Sequence, residues 1–185
     1  MSTSAPPSHG LELALLGLLQ THPRHAYELH QVLQQSEVLG SVWHLKQGHL
    51  YALLTKLEEM GYVASTLEPQ GTRPPRKMLH LTPAGQEVFA HWLASPVAHG
   101  RDFRLEFLAK LYFAAQEGAT VLSTLITRQR AACQTWVADL DRQVNDVPAT
   151  RPFERLVLQF RASQLEAVLS WLDSCERALA FQSPS

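Results

Sequence analysis

Between Leu50 and Leu57 the apolar positions recur at i, i+3, i+4 and i+7 (Leu50, Leu53, Leu54, Leu57), the pattern of one buried helix face. Gly48 opens this stretch, and Gly61 stands where a left-handed C-cap is expected. The other face carries His49, Ala52, Thr55 and Lys56, with Tyr51 at its edge and no acid before Glu58. Small, polar and cationic groups near a helix N-terminus suit a surface that meets phosphates and base edges. Taken alone, the stretch fits an ordinary amphipathic surface helix equally well, so its neighbours decide the reading.

Upstream, residues 11–20 are apolar on nearly every helical side, which predicts a helix that is buried or at an interface; Pro23 stops it. A second helix is expected over about 26–36, with Tyr27, Leu29, Val32 and Leu33 inward. Gly40 breaks the chain, and Val42-Trp43-His44-Leu45 reads as extended or turn-like. Three short helices, the third polar on one face, make a helix-turn-helix arrangement. Residues 62–68 and 77–81 then alternate as two strands around a long tip, Pro69-Gln70-Gly71-Thr72-Arg73-Pro74-Pro75-Arg76. The tip holds no acid, and its prolines are expected to prevent further strand pairing. A cationic hairpin directly after such a helix reads as a wing that lays arginines against phosphates or into a minor groove; a solvated charged turn is the plainer alternative. Thr82 as N-cap and Pro83 at the first helical position open a helix to about 93, with Val88, Phe89, Trp92 and Leu93 apolar. The expected fold class is mainly α: a winged helix-turn-helix domain over 11–94, a linker over 95–100 and an α-helical domain over 101–185.

In the second half, helices are expected over about 101–118, 120–144 and 152–181, with breaks at Gly118 and at Asn145-Asp146-Val147-Pro148. The last helix is apolar on more than one face, more than a helical hairpin can bury. A second copy of the chain in a two-fold dimer is the simplest cover; a closed three-helix bundle is the alternative. Leu11, Leu15, Leu158, Leu165, Leu169 and Leu172 are the expected interface positions.

Composition narrows the chemistry. A net charge of −1 gives no global attraction to nucleic acid, so such binding must come from a local patch. Cys133 and Cys175 lack metal or redox spacing and read as reduced thiols of a cytoplasmic protein. No apolar run approaches the ~20 residues of a membrane span. Residues 1–10 lack the parts of a signal peptide and read as a disordered arm. There is no Gly-x-Ser-x-Gly elbow, phosphate-binding glycine loop or His-Glu-x-x-His run, so an enzyme is not expected.

Several of these stretches, taken together, resemble the PadR family of transcriptional regulators. They are Leu16-Gly17-Leu18-Leu19, Pro23-Arg24-His25-Ala26-Tyr27-Glu28-Leu29, the run from Gly48-His49-Leu50-Tyr51 to Met60-Gly61-Tyr62-Val63, Arg76-Lys77-Met78-Leu79-His80-Leu81-Thr82, and Ala84-Gly85. The chain departs from the family at Ala52, where proline is usual, and at Thr72-Arg73-Pro74-Pro75, where a glycine-rich tip is usual. Arg101-Asp102-Phe103-Arg104-Leu105-Glu106-Phe107-Leu108 and the residues to Phe113 resemble the longer members, which carry an all-helical dimerisation domain.

The resemblance implies a sequence-specific DNA-binding regulator, in the first instance a repressor, that holds a near-palindromic operator as a homodimer. It also implies release by a small aromatic or lipophilic effector. DNA contacts are expected from Lys46, Gln47, His49, Tyr51, Thr55, Lys56, Thr72, Arg73, Arg76 and Lys77. Gln47 and His49 can each donate and accept, which suits base edges; the others suit phosphate. Trp43 and Trp92 are candidates for an effector pocket, with the core as their alternative. No cofactor is expected. Two other classes stay open: a protein-binding adaptor that keeps the fold without using DNA, and a metal-responsive sensor built on His22, His25 and His30, although no thiolate or carboxylate completes that set.

Overall fold

Helix-forming leucines and turn-forming glycines and prolines divide the first ninety-odd residues into short elements. The computed structural model describes residues 10–36, 39–40, 43, 45–71 and 73–180. Helix α1 (Gly10–Gly17) buries Leu13, Ala14, Leu15 and Leu16, and with them Glu12. The chain turns at Thr21 to Pro23 and makes a two-residue strand, β1 (Arg24–His25). Nothing in the pattern of these two residues predicts a strand; the partner imposes it, since Arg24 pairs with Leu79 and His25 with Met78. Helix α2 (Ala26–Gln35) starts where the Glu28 carboxylate accepts the His25 N–H at 3.0 Å, satisfying one of the orphan donors of a helix start. Leu29 and Leu33 face the core, whereas Tyr27, expected inward, is exposed.

Helix α3 (Gln47–Glu59) buries Leu50, Leu53, Leu54 and Leu57, the four positions that the spacing marks. It ends on Gly61 at φ 76°, with Tyr62 N–H donating to the Leu57 carbonyl and Gly61 N–H to that of Glu58. That is a Schellman cap, which needs a left-handed residue at this position.

Strands β2 (Val63–Gln70) and β3 (Arg73–Leu81) pair antiparallel, and β3 lies between β1 and β2. The ladder runs from Val63 opposite Leu81 to Gln70 opposite Arg73, with an irregularity between Glu68 and Gln70, where Pro69 has no N–H to give. The strands are therefore longer, and the tip shorter, than the prolines suggest. Pro74 and Pro75 sit in β3 beyond the reach of β1 and opposite the irregularity in β2, so one proline faces an open edge and the other a stretch where the ladder is already disturbed. Thr72, Val42, His44, residues 1–9 and the side chain of Arg73 lie outside the described residues.

Helix α4 (Pro83–Ala94) is capped by Thr82, whose hydroxyl accepts the Gly85 N–H at 3.0 Å and donates to the Gly61 carbonyl at 2.7 Å. After a 3-10 turn (Gly100–Arg104) comes helix α5 (Glu106–Glu117). Phe89 and Phe113 meet edge to face at 5.5 Å between ring centres, with Trp92 beside both. Gly17 lets this aromatic cluster approach α1: a Cβ there would stand 2.6 Å from Phe113 and 2.7 Å from Phe89. The described residues up to Ala94, with Asp102–Phe113, make one compact unit.

The other unit contains Ser95–Arg101 and the described residues from Ala114 on. Its body is an antiparallel pair of long helices, α6 (Ala119–Asp146) and α7 (Pro152–Ala180). Leu140, Val147, Leu158, Ala162 and Leu165 form its core, with Trp136, Val137 and Val144 packed alongside. Arg130 bridges to Asp173 and Glu176, both at 2.8 Å. Gln129 is fully buried and satisfied, its carbonyl accepting Val97 N–H at 2.8 Å and its amide facing the Cys133 thiol. Both cysteines are free, and burial raises the pKa of each.

The leucines expected at an interface are mostly core residues of their own chain. Leu15 and Leu172 are fully buried, Leu158 and Leu165 nearly so, and Leu11 and Leu169 are half-buried. The apolar side chains most exposed on α7 are others: Phe153 (77% exposed), Leu156 (62%), Val157 (42%) and Phe160 (63%). They recur at i, i+3, i+4 and i+7, so they share one face. Among the described residues, no helix is long and apolar enough to cross a membrane.

Candidate nucleic-acid interface

The four leucines of α3 turn its other side outward, and Gln47, His49, Tyr51, Ala52, Thr55 and Lys56 are all exposed there. Lys46, also exposed, holds the extended N-cap position. The chain just before the helix is fixed by His30, whose ring nitrogen bonds the Leu45 carbonyl at 3.3 Å. His49, Ala52 and Lys56 form one stripe; Tyr51 and Thr55 form the next, tied by a hydrogen bond from the Thr55 hydroxyl to the Tyr51 carbonyl.

The wing stands beside this face. His25 bonds the Lys77 carbonyl at 3.1 Å, joining the start of α2 to β3, and Thr66 bonds His80 across the strands at 2.6 Å. Arg76 and Lys77 are exposed. Tyr27, Tyr51, Thr55, Glu58, Arg76 and Lys77 are among the residues around a cleft of about 600 Å³ whose floor is Leu54 and Leu79. The structure thus brings Tyr51, Thr55, Arg76 and Lys77 to one concavity, with Lys46, Gln47, His49 and Lys56 on the same helix.

Two of the expected cations are already paired. Lys56 Nζ is 2.8 Å from Glu12 Oε1, and Lys77 Nζ is 2.7 Å from Glu58 Oε2. These acids were missed in the sequence. Glu12 has a signal of its own, the lone charge in an otherwise apolar run, which implies a buried partner. Glu58 has none, since charge late in a helix normally reads as solvated.

Trp43 and Trp92 are both buried and do not line the cleft. Trp92 donates its indole N–H to Glu106 at 2.8 Å, and Lys110 Nζ lies 3.0 Å from the same carboxylate and 5.2 Å from the indole ring centre. Burial lowers the Lys110 pKa below 10.5, against the opposing pull of Glu106 and Asp102. The folded state therefore binds this proton less tightly than the unfolded chain does. The resulting penalty is full below the folded pKa and fades as pH rises toward 10.5. In chemical denaturation, the native protein should gain stability relative to Lys110→Met over that window; parallel pH profiles would show that the lysine is not desolvated. Among the described residues, no group of three or more His, Cys, Asp or Glu is placed to hold a metal ion.

Comparison with known proteins adds the following. Residues 15–91 match the Transcriptional regulator PadR-like family, and residues 103–180 match the Virulence activator alpha C-term family. The Negative transcriptional regulator PadR of Bacillus subtilis is 27% identical over 173 residues, which is 89% of this chain and 94% of that protein. The crystal structure of Bacillus subtilis PadR in complex with operator DNA is 26% identical with a TM-score of 0.46, covering 92% of this chain and 99% of that one. The structure in complex with p-coumaric acid is 23% identical with a TM-score of 0.40, covering 96% and 99%.

Proposed function

This chain belongs to the PadR-like family of DNA-binding transcriptional regulators, which are not enzymes, and from that premise we propose that it represses transcription as a two-fold dimer on a near-palindromic operator. The observation that carries the proposal is the outward face of α3, polar and without an acid until Glu58, set beside a wing with exposed cations. Gln47 and His49 face base edges. Lys46, Tyr51, Thr55 and Arg76 are assigned to phosphates, as are Thr72 and Arg73 of the wing tip, whose side chains lie outside the described residues, with Lys56 and Lys77 each held to an acid. The exposed face of α7, Phe153 to Phe160, is the part of the helical region that a second copy covers. The dimer then presents two α3 helices to successive major grooves, with half-sites about one helical turn (~10 bp) apart.

Release by a small aromatic or lipophilic molecule belongs to the same proposal; p-coumaric acid, the ligand in a Bacillus subtilis PadR crystal, is of that class. Trp43 and Trp92, as core residues, support no preformed pocket for it.

Electrophoretic mobility shift across a salt series tests the DNA contacts. Arg76→Ala removes two phosphate contacts per dimer, so the slope of log affinity against log salt should become shallower by about 1.8, with roughly ten-fold weaker binding at low salt. An unchanged slope removes the wing from the interface.

A further inference from the structure

We propose that Glu12 is a buried competitor for the phosphate backbone, holding Lys56 of α3 away from DNA and so limiting affinity; the inference rests on the DNA-binding reading above. Glu12 lies on α1 among leucines, and its side chain is 4% exposed while that of Lys56 is 47% exposed. One carboxylate oxygen takes the Lys56 ammonium at 2.8 Å; the other, Oε2, is buried without a hydrogen-bond partner among the described residues. Lys56 belongs to the exposed stripe of His49 and Ala52, but its ammonium is engaged by the buried Glu12 carboxylate.

Magnitudes decide which partner the lysine keeps. A lysine that neutralises one phosphate tightens binding by roughly three-fold at low salt, about ten-fold for the pair in a dimer, through counterion release. Taking it from Glu12 would leave a carboxylate buried and unpaired, which costs roughly a hundred-fold or more in the folding equilibrium. The pair therefore stays closed when DNA arrives, and Lys56 adds no phosphate contact of its own. A buried ion pair of this kind contributes little net stability compared with an apolar pair of similar volume. What it does is keep the cation content of α3 low, which leaves a complex that can dissociate.

The test is a salt series by fluorescence anisotropy on a mixed-sequence duplex roughly three helical turns long. It compares the full-length protein with Glu12→Gln and with Glu12→Gln/Lys56→Met. Freed from its carboxylate, Lys56 reaches a phosphate. Glu12→Gln should then bind on the order of ten-fold more tightly at low salt, with a slope steeper by about 1.8 per dimer. The double variant should return to the native slope, because the gain needs the lysine and not merely the loss of an acid. If Glu12→Gln keeps the native slope, the proposal is overturned. It is equally overturned if the double variant falls below the native slope, since Lys56 would then already touch DNA. Should the glutamine variants not fold, Glu12→Met with and without Lys56→Met makes the same comparison with the native protein. Native protein that binds the duplex at no ionic strength overturns the DNA-binding reading itself, a result distinct from either slope outcome.

Discussion

Protein carrying both Leu156→Glu and Phe160→Glu is expected to sediment as a monomer and to bind operator DNA on the order of a hundred-fold more weakly than the native chain. Both side chains project from α7 with more than half of their surface in solvent, so charging them leaves the chain's own core of Leu140, Leu158 and Leu165 untouched. Phe153, Leu156, Val157 and Phe160 follow one another along one helix face. In a two-fold interface the same patch meets itself, so each new carboxylate faces a copy of itself or its neighbour, and like charges add repulsion to the lost apolar contact. Affinity falls because two linked reading heads bind with an avidity that one head lacks. Light scattering after size exclusion, paired with a mobility shift, checks both halves. A variant that remains dimeric places the two-fold contact elsewhere on the molecule.

Gly85→Ala is the substitution expected to damage folding most. Gly85 sits in the first turn of α4, beneath the backbone of Tyr62, and a Cβ there would lie 2.2 Å from the Tyr62 carbonyl oxygen and 2.8 Å from a Leu81 methyl. The carbonyl is fixed by the Thr82 N–H, which donates to it at 3.1 Å, so it cannot retreat without opening the join between wing and α4. The expected loss is about 3 kcal/mol, with a melting temperature lower by on the order of ten degrees. Gly48→Ala is the matched control. It too lies near a helix start, but an added Cβ meets nothing within 4 Å, and alanine there should be neutral or stabilise by up to about 1 kcal/mol. Thermal denaturation that ranks the two substitutions in the opposite order would contradict the close approach at Gly85.

Much of the fold was legible because its signals are local. Leu50, Leu53, Leu54 and Leu57 mark a helix face by spacing alone, Gly61 marks its end by the φ it must adopt, and Thr82-Pro83 marks the next start. Features that depend on a distant partner were not legible. Arg24 and His25 become a strand only because β3 is there to pair with. Pro74 and Pro75 are tolerated in β3 where β1 stops short of them on one side and the β2 ladder is irregular on the other. Lys110 looks like a surface charge in sequence and is buried because Glu106 and Trp92 receive it.

The candidate site divides along the same line. Helical phase places Gln47, His49, Tyr51 and Thr55 outward, but it does not reveal that Lys56 and Lys77 answer to Glu12 and Glu58. Four of the leucines expected at an interface, Leu15, Leu158, Leu165 and Leu172, are covered within their own chain for a related reason, while Leu11 and Leu169 keep part of their surface. Periodicity groups residues that share a face without saying which neighbour covers it, and α6 covers the face holding Leu158 and Leu165.

Nuclease footprinting of the full-length protein on genomic DNA addresses the central claim most directly. A duplex read by paired α3 helices should show two protected half-sites on one side of the helix, about 10 bp between centres and related by a near two-fold repeat. Protection of one isolated half-site, or none at low salt from folded protein, would contradict it.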